Sequence, residues 1–559
     1  MRIKTLIISL IIGLGLGFGA GFGQHPDRAD FILLGGRVFT GDDSRPWAEA
    51  VAVKADGTIA AVGTSADIRN LAGPATRILD VGGRLVIPGL YDAHTHFSSG
   101  GRSLAELSFR GVDSIAKVQE MVAAKIKELP DGTPVFGGQY DHSLFPGGNW
   151  PTREDLDKVS PSNPVVIERV DGHSIWVNSL VLKRSGITRD TKPPFGGEIL
   201  KDAGTGEPTG ILTESAEALV RGKIRRPASS PEEDILRGLA HAAKLGLTSV
   251  ATDSTLKEIE IYRKLQREGR LTLRVYAWLP FEEMSACLLK GVRTGQGDEW
   301  LKVGFLKMFA DGTLGSGTAA MLEPFTDEPG KSGLPQHPYP VFAQMVDKAW
   351  AGGFQIGVHA IGDKAVRWVL DAVEAAQKKH GRRDLRPRVE HAQVVSPEDG
   401  RRFAELGVIA SMQPTHCTTD MRFCERRIGP ERSRNAYAWR TLLKSGARLA
   451  FGSDWDVEPL DPMRGLYAAV TRTSIEFGTP EAGWFPEQRL TMAEAVKLFT
   501  AGAAYASFEE HLKGRLAPGL LADMVVLSKD VFTVPARDLL TAEALWTIVG
   551  GRVVHQKKI

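Results

Sequence analysis

Four times the chain runs from an amphipathic helix, through glycine, into a short apolar strand that ends in polar residues. The units are 235–245, Gly246 and 247–253; 345–351, Gly352-Gly353 and 354–359; 403–406, Gly407 and 408–413; and 442–445, Gly446 and 447–454. Glycine supplies the left-handed cap that turns a helix back into a strand. Repeated helix–strand units imply parallel strands, closed as a barrel or open as a doubly wound sheet. Polar groups at the strands' carboxyl ends favour the closed form, because (β/α)8 barrels place their chemistry there. Val366, Val369, Leu370 and Val373 form an apolar stripe suited to a barrel wall.

The two ends have a different texture. Short β-type runs beginning at Phe31, Ala50 and Thr58 return near Asp523 and Leu545, so residues 24–84 and 505–559 are expected to form one composite β-sandwich. Residues 85–504 then hold the α/β TIM barrel. Within them the pattern loosens over about 100–232, a stretch too long for one βα loop and expected to be an insertion over the substrate pocket. Ahead of everything, Arg2 and Lys4 precede an uncharged run from Thr5 to Gly23, the form of an export signal, which an uncleaved anchor shares. The expected destination is outside the cytoplasm, in the periplasm.

The composition excludes several classes. The chain has 559 residues and a formal net charge of +2, with no basic stripe to draw nucleic acid and no second membrane-spanning run. Three cysteines, Cys287, Cys417 and Cys424, make no disulfide framework, although Cys417 and Cys424 are candidates to pair in an oxidising compartment. Trp150, Trp176, Trp455 and Trp484 suggest an apolar pocket or ordinary packing. The expected partner is a small-molecule substrate.

The chemistry is signalled by Leu85-Val-Ile-Pro-Gly-Leu-Tyr-Asp-Ala-His-Thr-His96, an apolar strand ending in His-x-His. Side chains alternate along a strand, so His94 and His96 share a face and can grip one divalent cation. Lys307 lies inside an apolar run, where an amine is costly unless engaged. His359, His391 and Asp454 each end a later apolar strand. Each alone also fits a packing or capping role; their appearance in series points to a metal site.

That series resembles the metal-dependent amidohydrolase superfamily. Val303-Gly-Phe-Leu-Lys-Met-Phe-Ala-Asp-Gly-Thr-Leu-Gly-Ser316, Val358-His-Ala-Ile-Gly-Asp363, Val389-Glu-His-Ala-Gln393 and Gly452-Ser-Asp-Trp455 are similar to its amidohydrolase-3 branch, which includes YtcJ-like proteins and N-substituted formamide deformylases. Trp150-Pro-Thr-Arg153, Asp171-Gly-His173 and Ser411-Met-Gln-Pro-Thr-His416 also fit. The resemblance implies one or two divalent ions, most often zinc. His94, His96 and Asp454 would hold one, and a carboxylated Lys307 would bridge to a second held by His359 and His391. It further implies Asp454 as proton shuttle, His173 as a substrate or oxyanion contact, and dimers among relatives. Asp311, Asp363 and Gln393 are candidates to orient imidazoles or to cap helices, and His416 is a weaker candidate. The expected reaction is hydrolysis of an amide-type, non-peptide C–N bond, such as that of an N-substituted formamide or N-acyl amine. Alternatives are an esterase, lactonase or deaminase on the same barrel, or a non-catalytic binding protein.

Overall fold

The computed structural model describes residues 28–226, 230–476 and 478–558. The expected export signal, 1–23, lies outside the described residues. Among them, no helix is long and apolar enough to cross a membrane.

Eight parallel strands form the central sheet: β1 (Leu90–Thr95), β2 (Leu247–Asp253), β3 (Arg274–Pro280), β4 (Leu301–Phe309), β5 (Ile356–Ala360), β6 (Arg388–His391), β7 (Ile409–Met412) and β8 (Arg448–Phe451). They pair in chain order, the arrangement of a TIM barrel. Glycines at the expected helix ends are left-handed, with φ of 82° at Gly246, 74° at Gly353, 68° at Gly407 and 86° at Gly446. Val366, Val369, Leu370 and Val373 are fully buried on the helix Asp363–His380. Tyr91, Ala251, Tyr276, Trp278, Phe305 and Ile409 fill the barrel interior. The next inward positions along the strands include Asp253, Lys307 and Glu390, so the interior turns from apolar to ionisable toward the strands' carboxyl ends.

Between β8 and β1 the barrel is joined by residues beyond the strand ladders. The Asp454 N–H donates to the His94 carbonyl (2.8 Å), and Thr95 bridges Trp455 in parallel register. The buried Asp92 carboxylate accepts the N–H groups of Ser453 (2.9 Å) and His94 (3.1 Å). Gly452 has no room for a side chain here, since a Cβ would lie 2.5 Å from Asp92 Oδ1 and 2.6 Å from the His94 nitrogen.

The chain ends build a two-sheet sandwich. A six-stranded sheet runs Arg552–Gln556, Ala544–Val549, Met524–Leu527, Leu85–Pro88, Arg37–Phe39 and Trp47–Ala48. A four-stranded sheet runs Ile59–Gly63, Ala50–Val53, Ala29–Leu34 and Ala72–Asp80. Phe31, Val51, Val86, Met524 and Ile548 pack between them. The apolar run before His94 is therefore two strands, not one. Leu85–Pro88 pairs in the sandwich, and the chain enters the barrel at Gly89, where a Cβ would meet Thr248 Oγ1 at 2.2 Å.

Between β1 and β2 lies a separate six-stranded sheet: Leu107–Ser108, Val135–Tyr140, Val165–Arg169, Ser174–Val177, Pro208–Glu214 and Gly197–Lys201. Phe109, Val135, Ile167, Trp176 and Ile211 give it a core of its own. All three cysteines are buried and unpaired, so the candidate Cys417–Cys424 bond is not formed.

The β8–β1 seam yields a stability prediction. Gly452→Ala forces Asp92 and His94 apart and is expected to cost about 1–3 kcal/mol. Gly330→Ala, which meets nothing within 4 Å, should stay within about 0.5 kcal/mol of the parent. Denaturant titration of both variants checks the difference.

Candidate metal centre

The His-x-His pair is not aimed by simple alternation. β1 carries an extra residue against β2, because Asp92 pairs with Val250 but Thr95 with Thr252. Such a bulge re-aims side chains. Ala93 packs inside the barrel, and His94 reaches the site as well. The strand ends at Thr95, and His96 opens the helix Phe97–Ser103. His391 and Asp454 both have left-handed backbones, with φ of 75° and 60°. For residues other than glycine such conformations cost energy and cluster at functional sites.

His94 Nε2 lies 3.5 Å and His96 Nε2 3.2 Å from Asp454 Oδ1. The other nitrogen of each ring faces a carboxylate. His94 Nδ1 donates to Glu390 (2.6 Å), and His96 Nδ1 to Asp253 (3.2 Å). A carboxylate only accepts, so in the neutral rings the Nε2 lone pairs point toward Asp454. Asp454 Oδ1 is buried and has no hydrogen-bond donor. Three acceptors converging in this way repel one another unless a cation or proton lies among them. Burial opposes charge on His96, yet the neighbouring Asp253 and Asp454 carboxylates lift its pKa to about 10. The donor set thus fits a divalent ion, with Glu390 and Asp253 fixing the ring tautomers.

Lys307 is buried, its Nζ 3.1 Å from His94 Nε2. Burial pushes its pKa down, against the pull of Glu390 and Asp454. Glu390 itself is held well below the usual carboxylate range: Arg388 and His94 outweigh the cost of its burial. The His359 and His391 rings lie 4.5 Å apart between centroids. His359 Nε2 donates to the Gly312 carbonyl (3.1 Å), and His391 Nδ1 to Gln413 (2.9 Å).

Among the described residues, two triads of histidine and aspartate bring ligand atoms within 4.8 Å of one another: His94, His96 and Asp454; and His391, His416 and Asp454. Asp454 Oδ2 faces the second, 3.9 Å from His391 Nδ1 and 3.6 Å from His416 Nε2. His359 belongs to neither triad, and His416, the weakest sequence candidate, belongs to one; Lys307 brings its amine to 3.1 Å from His94 Nε2, at the edge of the first.

His173 comes from the insertion and stands beside His359, with ring centroids 4.8 Å apart. Its Nδ1 donates to Glu214 (2.8 Å), which also accepts from Thr318 Oγ1 (2.6 Å). Burial disfavours the charged ring, but Glu214 and Asp171 raise the His173 pKa to about 9. Glu214 has φ of 53° and ψ of −131°, a conformation rare outside glycine.

Two cavities meet at this centre. A wide mouth of about 1300 Å³ includes His96, Asp253, Lys307, Phe309 and Glu214 in its wall. A smaller, narrow recess includes Arg169, Gln393, His416, Thr419 and Phe423 in its wall. His173, His359, His391 and Asp454 line both. No tryptophan lines either cavity, and Trp176, Trp455 and Trp484 are buried packing residues. The cavity walls mix charged and polar side chains with Val170, Ile361, Phe423, Val457 and Phe309.

Sequence reasoning overlooked the imidazole partners Glu390, Asp253, Gln413 and Glu214. Of its own candidates, Gln393 contacts His416 Nδ1 (3.3 Å). Asp311 accepts three backbone N–H groups, from Ala320, Ile361 and Gly362, and Asp363 accepts those of Leu322 and Lys364. Both aspartates therefore brace loops. The missed signals were local: Glu390 adjoins His391, and Asp253 ends a strand of the helix–glycine–strand repeat.

The amidohydrolase family model matches residues 77–555. The chain is 33% identical to Protein LONG AFTER FAR-RED 3 of Arabidopsis thaliana, over 94% of this chain and 92% of that protein. It is 32% identical to the putative amidohydrolase YtcJ of Bacillus subtilis, over 94% and 99%, and 27% identical to the N-substituted formamide deformylase of Arthrobacter pascens, over 94% and 98%. The solved structure of an uncharacterized metal-dependent hydrolase from Pyrococcus furiosus matches with a TM-score of 0.70 at 30% identity, covering 90% of this chain and 100% of that one. With the barrel and the histidine–aspartate centre in place, the matched span identifies the chain as a member of the amidohydrolase family of hydrolases.

Proposed function

We propose that the protein hydrolyses an amide-type, non-peptide C–N bond in an N-formyl or N-acyl amine, using one or two divalent ions, zinc foremost. The observation that carries this reading is the buried convergence of His94 Nε2, His96 Nε2 and Asp454 Oδ1. Similarity to a formamide deformylase along nearly the whole chain supports the bond type. Imidazole and carboxylate donors suit zinc. A bound cation supplies Lewis acidity, polarising a carbonyl and acidifying water. His94, His96 and Asp454 would hold one ion; Lys307, carboxylated, with His359 and His391 would hold a second. Carboxylation needs an unprotonated amine, which the burial of Lys307 favours. The same proposal places the enzyme outside the cytoplasm, on the reading of residues 1–23 alone.

In this mechanism Asp454 takes the proton of the attacking water and returns it to the leaving nitrogen. Glu390 and Asp253 keep the two imidazoles in the tautomer that leaves Nε2 unprotonated. Glu214 accepts from His173 Nδ1 and favours the charged ring, so that in this mechanism its Nε2–H donates to the substrate carbonyl or leaving group.

Two tests follow. Asp454→Asn should lower kcat by about 10²–10⁴-fold while much of the metal stays bound, whereas His94→Ala should lower metal content. Elemental analysis beside single-turnover assays on an amide and formamide panel checks both, and near-parental turnover by Asp454→Asn would exclude the shuttle. Glu214→Gln should lower kcat by about 10–100-fold with little change in KM. Adding it to His173→Ala should cost nothing further, because the two act as one unit. A full additive loss in the double variant would reduce Glu214 to a structural brace.

A further inference from the structure

The barrel interior holds an arginine that the hydrolytic step does not use. Arg388 and Glu390 share one face of β6, and both are fully buried. The guanidinium packs against Phe305, 4.6 Å from the ring centre. Its Nε donates to Glu390 Oε1 (2.7 Å). Its Nη2 reaches Glu390 Oε2 (3.1 Å), the Ser411 hydroxyl on β7 (2.8 Å) and the Ala93 carbonyl on β1 (2.7 Å). One side chain thus joins three strands, and it lines neither cavity at the centre.

Two of these contacts converge on His94. Glu390 Oε2 accepts from His94 Nδ1 (2.6 Å), so the guanidinium holds the ring through the carboxylate. The Ala93 carbonyl belongs to the peptide that carries the His94 N–H, and that N–H donates to Asp92 Oδ1 (3.1 Å). The peptide is gripped at both ends where the extra residue of β1 interrupts its ladder with β2. Stability alone does not account for such an arrangement. Taking a guanidinium and a carboxylate out of water costs hydration that their attraction repays only in part, and an apolar pair of the same volume often suits a core better. Arg388 Nη1 adds to that cost, being buried without an acceptor.

We infer that Arg388 is a positioning residue for metal binding: it presets the His94 peptide and ring, so that Nε2 stands beside His96 Nε2 and Asp454 Oδ1 before an ion arrives. The inference rests on the metal reading of that cluster. Lysine cannot replace Arg388, since a single ammonium on a flexible stem does not bond the carboxylate side-on and the carbonyl at once.

The test is ion affinity, which needs no turnover. Zinc is withdrawn from the metal-loaded protein by a chelator of known affinity, and the melting temperature of the stripped protein is measured beside it. Arg388→Lys and the charge-neutral double variant Arg388→Met/Glu390→Gln should each hold zinc about 10–100-fold more weakly than the parent, while the stripped proteins melt near the parental temperature. The visible bands of the cobalt-loaded variants should shift, because the His94 nitrogen is no longer fixed. Arg274→Lys, at the buried pair with Asp523 near the start of β3, is the control and should leave zinc affinity unchanged. Affinities within about threefold of the parent in both Arg388 variants would overturn the inference and leave the metal reading standing. Loss of the stripped protein's melting transition in both would also overturn it, by making Arg388 a structural brace. A parent protein that takes up no ion would end the metal reading, and this inference with it.

Discussion

Three lone-pair atoms held a few ångströms apart in a buried pocket are the constraint around which this protein is arranged. His94 Nε2, His96 Nε2 and Asp454 Oδ1 cannot share that space without positive charge between them, and the surroundings enforce their approach. The β8–β1 seam holds Asp454 against His94 through its own N–H and through Asp92. Glu390 and Asp253 bond the far nitrogen of each ring, so each imidazole is held with its Nε2 turned toward Asp454. Arg388 in turn stabilises Glu390 and ties it to the Ser411 hydroxyl, carrying the restraint across to β7. A barrel whose interior ends in so many ionisable groups gives up packing stability to gather them, the usual sign of a site shaped for chemistry.

The repeat of helix, glycine and apolar strand made the barrel legible before any coordinates, because a left-handed cap and a parallel crossover leave few alternatives. The positions of His94, His96, His359, His391 and Asp454 were legible for the same reason: chemistry collects at strand ends. What escaped was conformation that breaks the periodic rule. An extra residue in β1 turns His94 inward, and left-handed backbones at His391 and Asp454 redirect side chains that strict alternation would send elsewhere. The partners of the imidazoles escaped too, since Glu390 and Asp253 read as ordinary strand residues until neighbouring strands are placed. Of the two roles open to the tryptophans, packing holds for Trp176, Trp455 and Trp484, which are buried away from both cavities.

Gly312 shows how the barrel and its insertion meet. Its carbonyl accepts from His359 Nε2, fixing that ring. A Cβ on the same residue would lie 2.1 Å from Glu214 Oε1 and 2.2 Å from Thr318 Oγ1. The loop after β4 therefore approaches the insertion closely enough that only glycine fits, and through this contact Glu214 and His173 are set against His359. The His94, His96 and Asp454 cluster belongs to the barrel, while His173 and Arg169, which line the cavities beside it, belong to the insertion. The two meet along one tightly packed line. A change in the insertion can thus reshape the cavity wall without disturbing the His94–His96–Asp454 cluster, provided it leaves the His173–Glu214–Gly312 contact intact. Variation among relatives that share the barrel is expected to concentrate on the inserted side of that line.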